Sequence, residues 1–528
     1  MSSVSTPRRV LLVGWDGATW DALDPLLAAG RLPHLADVLR RGWKAPLLST
    51  IPAVTPAAWT AMATGLDPGV TGVLGFRHLD LGRPSGYSPR LAGSDDLRGR
   101  TLFEYAAQQG LGVAALAFPM TWPPFPLEAG VLLSGWPRPE TPRAPVLPEA
   151  MQEELGTWSR GPARPADPDR ADDGESDPIR AATERDSRTH RAALHVLRTR
   201  ADALVAVVYQ GTDHLAHRFW GLPELDAYLE QADRWLGELL ACAGPDCSVL
   251  VVSDHGFGAG PQRRVHLGRA LADAGLLRLR SGGSGGEAIQ AARAGVSTGL
   301  RKRIRDRLPG ALRTWAWERS HGFHRLAPGA TVVRVPLYGP WDGLVVQVRG
   351  RQRGGSVSPE GWDAARQEAA RVVGALRDEH GPLVTAVWRR EELWRGPRLQ
   401  DLPDLVVQLR ADCEGGAKMD PGPLVDQMPA AAGAGSHRRE GIAAGAGPGF
   451  VTSPLAAAVH PVDVLPTILA PLGLAVPEHI QGRARRDLLE TPPPEPVPAR
   501  IAAGPGVPRS GGDDAAIERS LRELGYTS

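Results

Sequence analysis

Four short, uninterrupted apolar runs punctuate the first half of the chain: VLLVG at 10–14, GVAALAF at 112–118, ALVAVVY at 203–209 and SVLVV at 248–252. Runs of this length without polar alternation are the pattern of strands buried on both faces of a parallel sheet. Stretches of helical period separate them and predict helices over 20–27, 36–41 (stopping at Gly42), 55–65, 101–110, 179–201 and 222–241. Strand-helix alternation of this kind predicts an α/β fold with a mostly parallel central sheet flanked by helices. The helix at 55 opens on Thr55-Pro56, read as Thr at the N-cap and Pro at the first helical position, and Leu66-Asp67-Pro68-Gly69 closes it with turn chemistry.

Beyond residue 270 the pattern changes. Strand-like runs at 343–348, 383–387 and 405–409 and a helix at 359–377 predict α+β material, a cap or insertion in the core. LRKRIRDRL at 300–308 reads as a solvated basic face, and Trp315, Trp317, Phe323 and Trp341 as core aromatics. The charged, Pro-rich stretch 160–177 reads as a surface loop. A Gly/Ala/Pro stretch then leads into GSHRREGI, which puts His437 in a Gly-rich loop. An amphipathic helix at 461–469, a Pro/Gly linker at 491–512 and a terminal helix at 513–524 follow. The expected organisation is a catalytic core in two parts, 1–269 and 430–490, with an insertion at 270–429 and a linker and helix at 491–528.

Composition narrows the possibilities. The 528 residues can bury a large core, and 60 basic against 59 acidic residues call for neither a nucleic acid polymer nor an anionic membrane. Three cysteines make no disulfide framework and fit a reducing compartment; Cys242 and Cys247 are expected simply to pack. The apolar run after Arg8-Arg9 is too short for a secretory leader, so a soluble cytoplasmic protein is expected.

The chemistry sits where strands end. Asp16, Asp213 and Asp254 each follow a predicted strand closely, and in an open parallel sheet the carboxyl ends of the strands are where ligands bind. An Asp after a strand also caps helices, but two of these bring histidines: His217, one helical turn after Asp213, and His255, next to Asp254. Carboxylates and imidazoles in this mixture suit Zn²⁺ or a similar divalent ion, and five ligands exceed one tetrahedral site, which points to two metals. His437 is suited to join Asp213 and His217. Thr55, at a helix N-terminus that favours anions, becomes a candidate nucleophile.

These motifs, GWDGATWD, the Thr55 segment with TGLDPGVTG, TDHLAH, SDHGFG, GSHRREGI, DVLPTIL and the terminal LRELGY, resemble the alkaline phosphatase superfamily. The resemblance is to its type I phosphodiesterase/nucleotide pyrophosphatase branch, and within it to the bacterial predicted phosphohydrolase/phosphomutase group; it covers nearly the whole chain. It implies an alkaline-phosphatase-like fold and two divalent metals, Zn²⁺ with Mn²⁺ as the alternative. Asp213, His217 and His437 would hold one, and Asp16, Asp254 and His255, completed by the Thr55 hydroxyl, the other. It further implies attack by Thr55 on a small phosphorylated substrate through a phospho-threonine intermediate. Two positions depart from the pattern: Ala58 stands where diesterase relatives often have an Asn donor to phosphate, and Thr71 where the family usually has His. The same resemblance admits a phosphomutase, a phosphomonoesterase or a phosphonate hydrolase. A non-catalytic metal-dependent binder of phosphorylated ligands is the alternative of another class. Substrate and oligomeric state stay open.

Overall fold

The structure, a computed structural model, describes residues 9–523 except 84–85, 98, 140–145, 157–176, 281–325, 328, 353, 417, 420–421, 430–431, 454, 500–506 and 508–510. The basic stretch 300–308, Trp315, Trp317, Phe323 and nearly all of the charged stretch 160–177 fall outside the described residues. The chain forms two compact units: 1–67 with 92–260 and 431–528, and 68–91 with 261–430.

The first unit is built on a sheet that, among the described residues, has eight strands: β1 (Arg9–Trp15), β2 (Gly42–Leu48), β3 (Val113–Phe118), β4 (Gly130–Ser134), β5 (Val146–Leu147), β6 (Leu204–Tyr209), β7 (Cys247–Val252) and β8 (Glu440–Ala446). Their spatial order is β2-β8-β7-β1-β6-β3-β4-β5. The five strands from β7 to β4 run parallel, β8 is antiparallel to both of its neighbours, and β5 is antiparallel to β4. The α/β, mostly parallel expectation holds. The four strands read from apolar runs are β1, β3, β6 and β7, and they lie side by side in the order β7-β1-β6-β3.

Helices α1 (Trp20–Ala28), α2 (Pro33–Arg41), α5 (Pro178–Thr199) and α7 (Pro223–Ala243) share one core with one face of the sheet. Leu35, Val38, Ala192, Val196, Leu229 and Leu236 pack there with Leu11, Val13, Trp15 and Val207. Successive residues of a strand face opposite ways, so Gly14 looks the other way, onto α3 (Thr55–Thr64). A Cβ on Gly14 would stand 2.5 Å from the Trp59 ring, so the glycine lets this helix lie against β1. All ten residues of α3 are buried, between α8 (Pro461–Leu469) and α4 (Leu102–Gln108). Helix α4 starts as its sequence suggests, with Thr101 and Glu104 in a reciprocal capping box. The three cysteines are free, and Cys242 and Cys247 pack against the core.

The second unit contains a four-stranded antiparallel sheet in the order 332–336, 341–346, 405–409, 384–389. A helix at Trp362–Gly374 packs Ala369 and Val373 into the same core as Leu344, Val346, Leu405 and Val407. Trp341 is buried, as expected of a core aromatic.

Candidate active site and metal centre

All seven residues singled out from the sequence lie in the first unit, and six of them form one cluster at the carboxyl edge of the sheet. β7, β1 and β6 are neighbours in register, Trp15 opposite Tyr209 and Gly14 opposite Val252, so the segments that follow them emerge side by side. Asp16 continues the ladder, its N–H donating to the Tyr209 carbonyl at 2.9 Å. The chain then turns at Gly17 with φ +70, and the Gly17 N–H donates to Asp254 Oδ1 at 3.1 Å. A side chain at Gly17 would strain this backbone and bring a Cβ within 2.7 Å of the Phe257 ring. Past β6, helix α6 (Gly211–Phe219) carries Asp213 and His217 on one face, as their spacing predicts.

His437 is placed differently from the sequence reading. It lies not in a loop but on a short strand, Gly435–Arg438, paired antiparallel with Gly256–Ala259 so that His437 stands opposite Phe257. The glycine that suggested a loop has a packing cause: a Cβ at Gly435 would stand 2.2 Å from the Ala216 carbonyl oxygen and 3.1 Å from the Phe257 ring.

Among the described residues, two groups can each converge on a cation: Asp213, His217 and His437, and Asp16, Asp254 and His255. In the first, Asp213 Oδ1 lies 3.2 Å from His437 Nε2 and 3.6 Å from His217 Nε2. In the second, His255 Nε2 lies 3.3 Å from Asp254 Oδ2 and 3.8 Å from Asp16 Oδ1. The groups are contiguous, because Asp213 Oδ1 is also 3.8 Å from His255 Nε2 and the His255 and His437 rings stack at 3.7 Å. Phe257 packs edge-on against His217 and His437 and fills the space behind them.

The imidazoles are held in the form that binds metal. His437 Nδ1 donates to the Ala53 carbonyl at 2.9 Å and His255 Nδ1 to the Gly256 carbonyl at 3.2 Å, which leaves the Nε2 lone pairs facing the carboxylates. Burial pushes the pKa of His217 and of His255 down to about 4 and lowers that of His437, so all three are neutral near pH 7. Burial and the negative charges of Asp254 and Asp213 raise Asp16 well above the usual carboxylate range, and burial and Asp213 push Asp254 up to about 7. Burial would raise Asp213 too, but the imidazoles of His217, His437 and His255 outweigh it and hold that carboxyl below its ordinary value.

A cation fits this arrangement. Asp16 Oδ1, Asp254 Oδ2 and His255 Nε2 are buried without a hydrogen-bond partner, a costly condition for polar atoms. A divalent ion at each group would satisfy them and offset the repulsion that lifts Asp16 and Asp254.

Thr55 does not cap its helix. Val54 occupies the N-cap position in extended conformation, α3 begins at Thr55, and Thr55 Oγ1 is buried with no hydrogen-bond partner. The Thr-Pro cap reading is corrected: an N-cap Thr needs its hydroxyl turned to a backbone N–H of the first turn, and this one is not. Hydrogen bonds tie the segment around Thr55 to both candidate ligand groups. Ala53 accepts from His437, and Trp59, one turn after Thr55, donates Nε1–H to Asp16 Oδ2 at 3.1 Å. Farther upstream, Ser49 donates its N–H to the Arg439 carbonyl at 2.9 Å and accepts from the Arg439 guanidinium at 3.2 and 3.3 Å. Ala58 is buried, its N–H spent on the Val54 carbonyl; Thr71 lies in the second unit on the short helix Pro68–Thr71.

Sequence reasoning missed Gly17, Trp59 and Phe257 as supports of the site. The spacing of Trp59, four after Thr55 and so on the same helix face, was a usable signal. Replacing Trp59 with Phe keeps most of the ring and removes the donor to Asp16. We expect metal affinity at the Asp16 group to fall about tenfold, as is typical for loss of an outer partner of a ligand. Competition with a chromophoric chelator measures this.

Comparison with known proteins agrees with this geometry. The family model for type I phosphodiesterase/nucleotide pyrophosphatase matches residues 10–412. The chain belongs to this family. Its members are hydrolases of phosphoester and phosphoanhydride bonds within the alkaline phosphatase superfamily. A comparison with curated proteins found no match. Among solved structures, human ectonucleotide pyrophosphatase/phosphodiesterase 5 superposes with TM-score 0.52 at 14% identity, covering 92% of this chain and 100% of its own. Phosphonoacetate hydrolase from Sinorhizobium meliloti 1021 in complex with phosphonoacetate gives TM-score 0.56 at 18% identity, over 88% and 96%. An inactive threonine-to-alanine variant of murine ectonucleotide pyrophosphatase/phosphodiesterase 5 in complex with AMP gives 0.50 at 15% identity, over 92% and 100%. At these identities the likeness is one of fold. Among the described residues of this family member, no helix is long and apolar enough to cross a membrane.

Proposed function

We propose that this family member is a two-metal phosphoester hydrolase with Thr55 as its nucleophile, acting on a small phosphodiester, a nucleotide-type pyrophosphate or a related phosphonate. The observation that carries the reading is the buried, unpartnered Thr55 hydroxyl on a segment hydrogen-bonded to both ligand groups, through Ala53 to His437 and through Trp59 to Asp16. A binder without turnover would use this hydroxyl only as a further metal ligand, with no covalent intermediate formed on it.

Asp213, His217 and His437 would hold one divalent ion, and Asp16, Asp254 and His255, with the Thr55 hydroxyl, the other. Bound there, Zn²⁺ or Mn²⁺ would lower the pKa of the hydroxyl and neutralise charge on the phosphoryl and leaving oxygens. The Thr55 hydroxyl gives up its proton to solvent and Oγ attacks phosphorus in line; the Oγ–P bond forms, the P–O bond to the leaving group breaks with its electron pair going to that oxygen, and the phosphoryl group, still carrying the second ester of a diester, is left on Thr55. Its position at the start of α3 places that anion at the favourable end of the helix dipole. Water then attacks the phospho-threonine, the Oγ–P bond breaks and the hydroxyl is restored. The inactivity of the threonine-to-alanine variant of the murine relative is consistent with this role. The three free cysteines suit a cytoplasmic setting.

Hydrolysis of bis(p-nitrophenyl) phosphate by the zinc- or manganese-loaded protein tests the reading, with acid quench and mass spectrometry to trap the p-nitrophenyl phosphoryl group on Thr55. Two bound ions with no turnover of diester, monoester, pyrophosphate or phosphonate would leave only the binding role. Phosphate recovered at a new position of the same substrate would make it a mutase.

A further inference from the structure

We infer that Asp186 and Arg185, two consecutive residues of α5 that no sequence motif singled out, are positioning residues for the Asp213, His217 and His437 ion; this rests on the metal-centre reading above. Helix α6 supplies two of those three ligands and is short, so its placement depends on what holds its first turn. Asp186 is 2% exposed and accepts from the Gly211 N–H at 2.7 Å and from the Tyr228 hydroxyl. Gly211 opens α6, so a carboxylate from another helix satisfies one of the N–H groups that every helix start leaves without an intrahelical partner. The position is Gly because Tyr228 leaves no room: a Cβ there would stand 2.4 Å from the Tyr228 ring and hydroxyl.

Arg185 grips the same helix one residue beyond Asp213. Its Nη2 donates to His214 Nδ1 at 2.6 Å, which makes His214 the acceptor and fixes its neutral tautomer. Trp136 closes edge-on over the His214 ring at 5.6 Å. Asp186 and Arg185 therefore hold Gly211 and His214, the residues two before and one after Asp213. The Asp16, Asp254 and His255 group lies on other segments, at the ends of β1 and β7. The effect of losing either grip should accordingly be confined to one ion.

The test measures Zn²⁺ affinity by chelator competition in two backgrounds, each reporting one site: His255→Ala leaves the Asp213 group, and His217→Ala leaves the Asp16 group. Asp186→Ala is expected to weaken binding by about tenfold or more in the first background and by less than about threefold in the second. Asp186→Asn, which keeps an acceptor for the Gly211 N–H, should recover part of the loss. Arg185→Met, on a partly exposed side chain, gives the same one-sided loss without emptying the buried site, so the inference remains testable if Asp186→Ala does not fold. Equal weakening in both backgrounds, or no weakening in either, overturns the positioning role while two ions in the wild type keep the metal-centre reading. A wild type that takes up no ion overturns both.

Discussion

Thr55→Ala is expected to lower diester turnover by on the order of 10³-fold or more, about 4 kcal/mol of barrier, while the protein keeps both ions. The size follows from the role: without the hydroxyl no covalent intermediate can form, and only metal-assisted attack by water remains. Metal content is the second readout because Asp16, Asp254 and His255 are untouched, and the hydroxyl makes no hydrogen bond whose loss would disturb them. Thr55→Ser keeps the nucleophile and should retain substantial activity. Stability should change little, since the substitution leaves no buried polar group newly unpaired. Turnover equal to wild type in Thr55→Ala, measured with saturating metal, would remove Thr55 from the mechanism. Loss of turnover together with loss of an ion would make it chiefly a ligand.

The sequence made the site legible because each aspartate follows a strand whose apolar run is unmistakable. Adjacency of β7, β1 and β6 then does the rest, and nothing about Asp16, Asp213 or Asp254 had to be inferred from the insertion. The strands that escaped are those whose composition is set by neighbours and not by strand propensity. β8, EGIAAGA, is not among the predicted strands, yet it is an interior strand between β2 and β7. Its small residues answer to packing: a Cβ at Gly445 would stand 2.6 Å from the Trp43 ring, and one at Gly441 would stand 2.3 Å from Ser253 Oγ. Tertiary contact overrides propensity there. β2, GWKAPLL, was hidden by its internal proline, which sits on an edge strand where a missing N–H is tolerated.

The two misreadings at the site share a physical origin. Thr-Pro is a strong helix-start signal, and the helix does start there; what the signal cannot report is where the hydroxyl turns, and here it is left without a backbone partner. The glycines around His437 point to a loop, whereas Gly435 is small to clear Ala216 and Phe257. Supports such as Asp186 have no pattern of their own, because a buried acid on a helix face becomes meaningful only once Gly211 is seen to donate to it.

Removing metal should destabilise the protein more at pH 8 than at pH 5.5. In the metal-free fold Asp254 titrates at about 7, and Asp16 is raised well above its ordinary value. A carboxyl raised above its unfolded pKa of about 3.8 contributes stability that is present below that pH and is lost as pH rises through the folded value. Above about pH 7 the metal-free site must therefore hold ionised carboxylates packed together, and the fold bears that cost. The histidines act in the opposite sense: His217 and His255, lowered to about 4, contribute stability that is present above about 6.5 and is lost as pH falls through 4. Divalent ions relieve the alkaline cost directly, since they bind the ionised carboxylates and the neutral imidazoles. At pH 5.5 they must first displace protons from Asp16 and Asp254 and so stabilise less. The melting-temperature difference between zinc-loaded and chelator-treated protein should be larger at pH 8. Calorimetric titration in buffers of different ionisation enthalpy should show protons released on binding at the lower pH. A difference that is equal at the two pH values, or larger at pH 5.5, would mean that the raised carboxyls are not those the metal engages, and the assignment of Asp16 and Asp254 as ligands would fall with it.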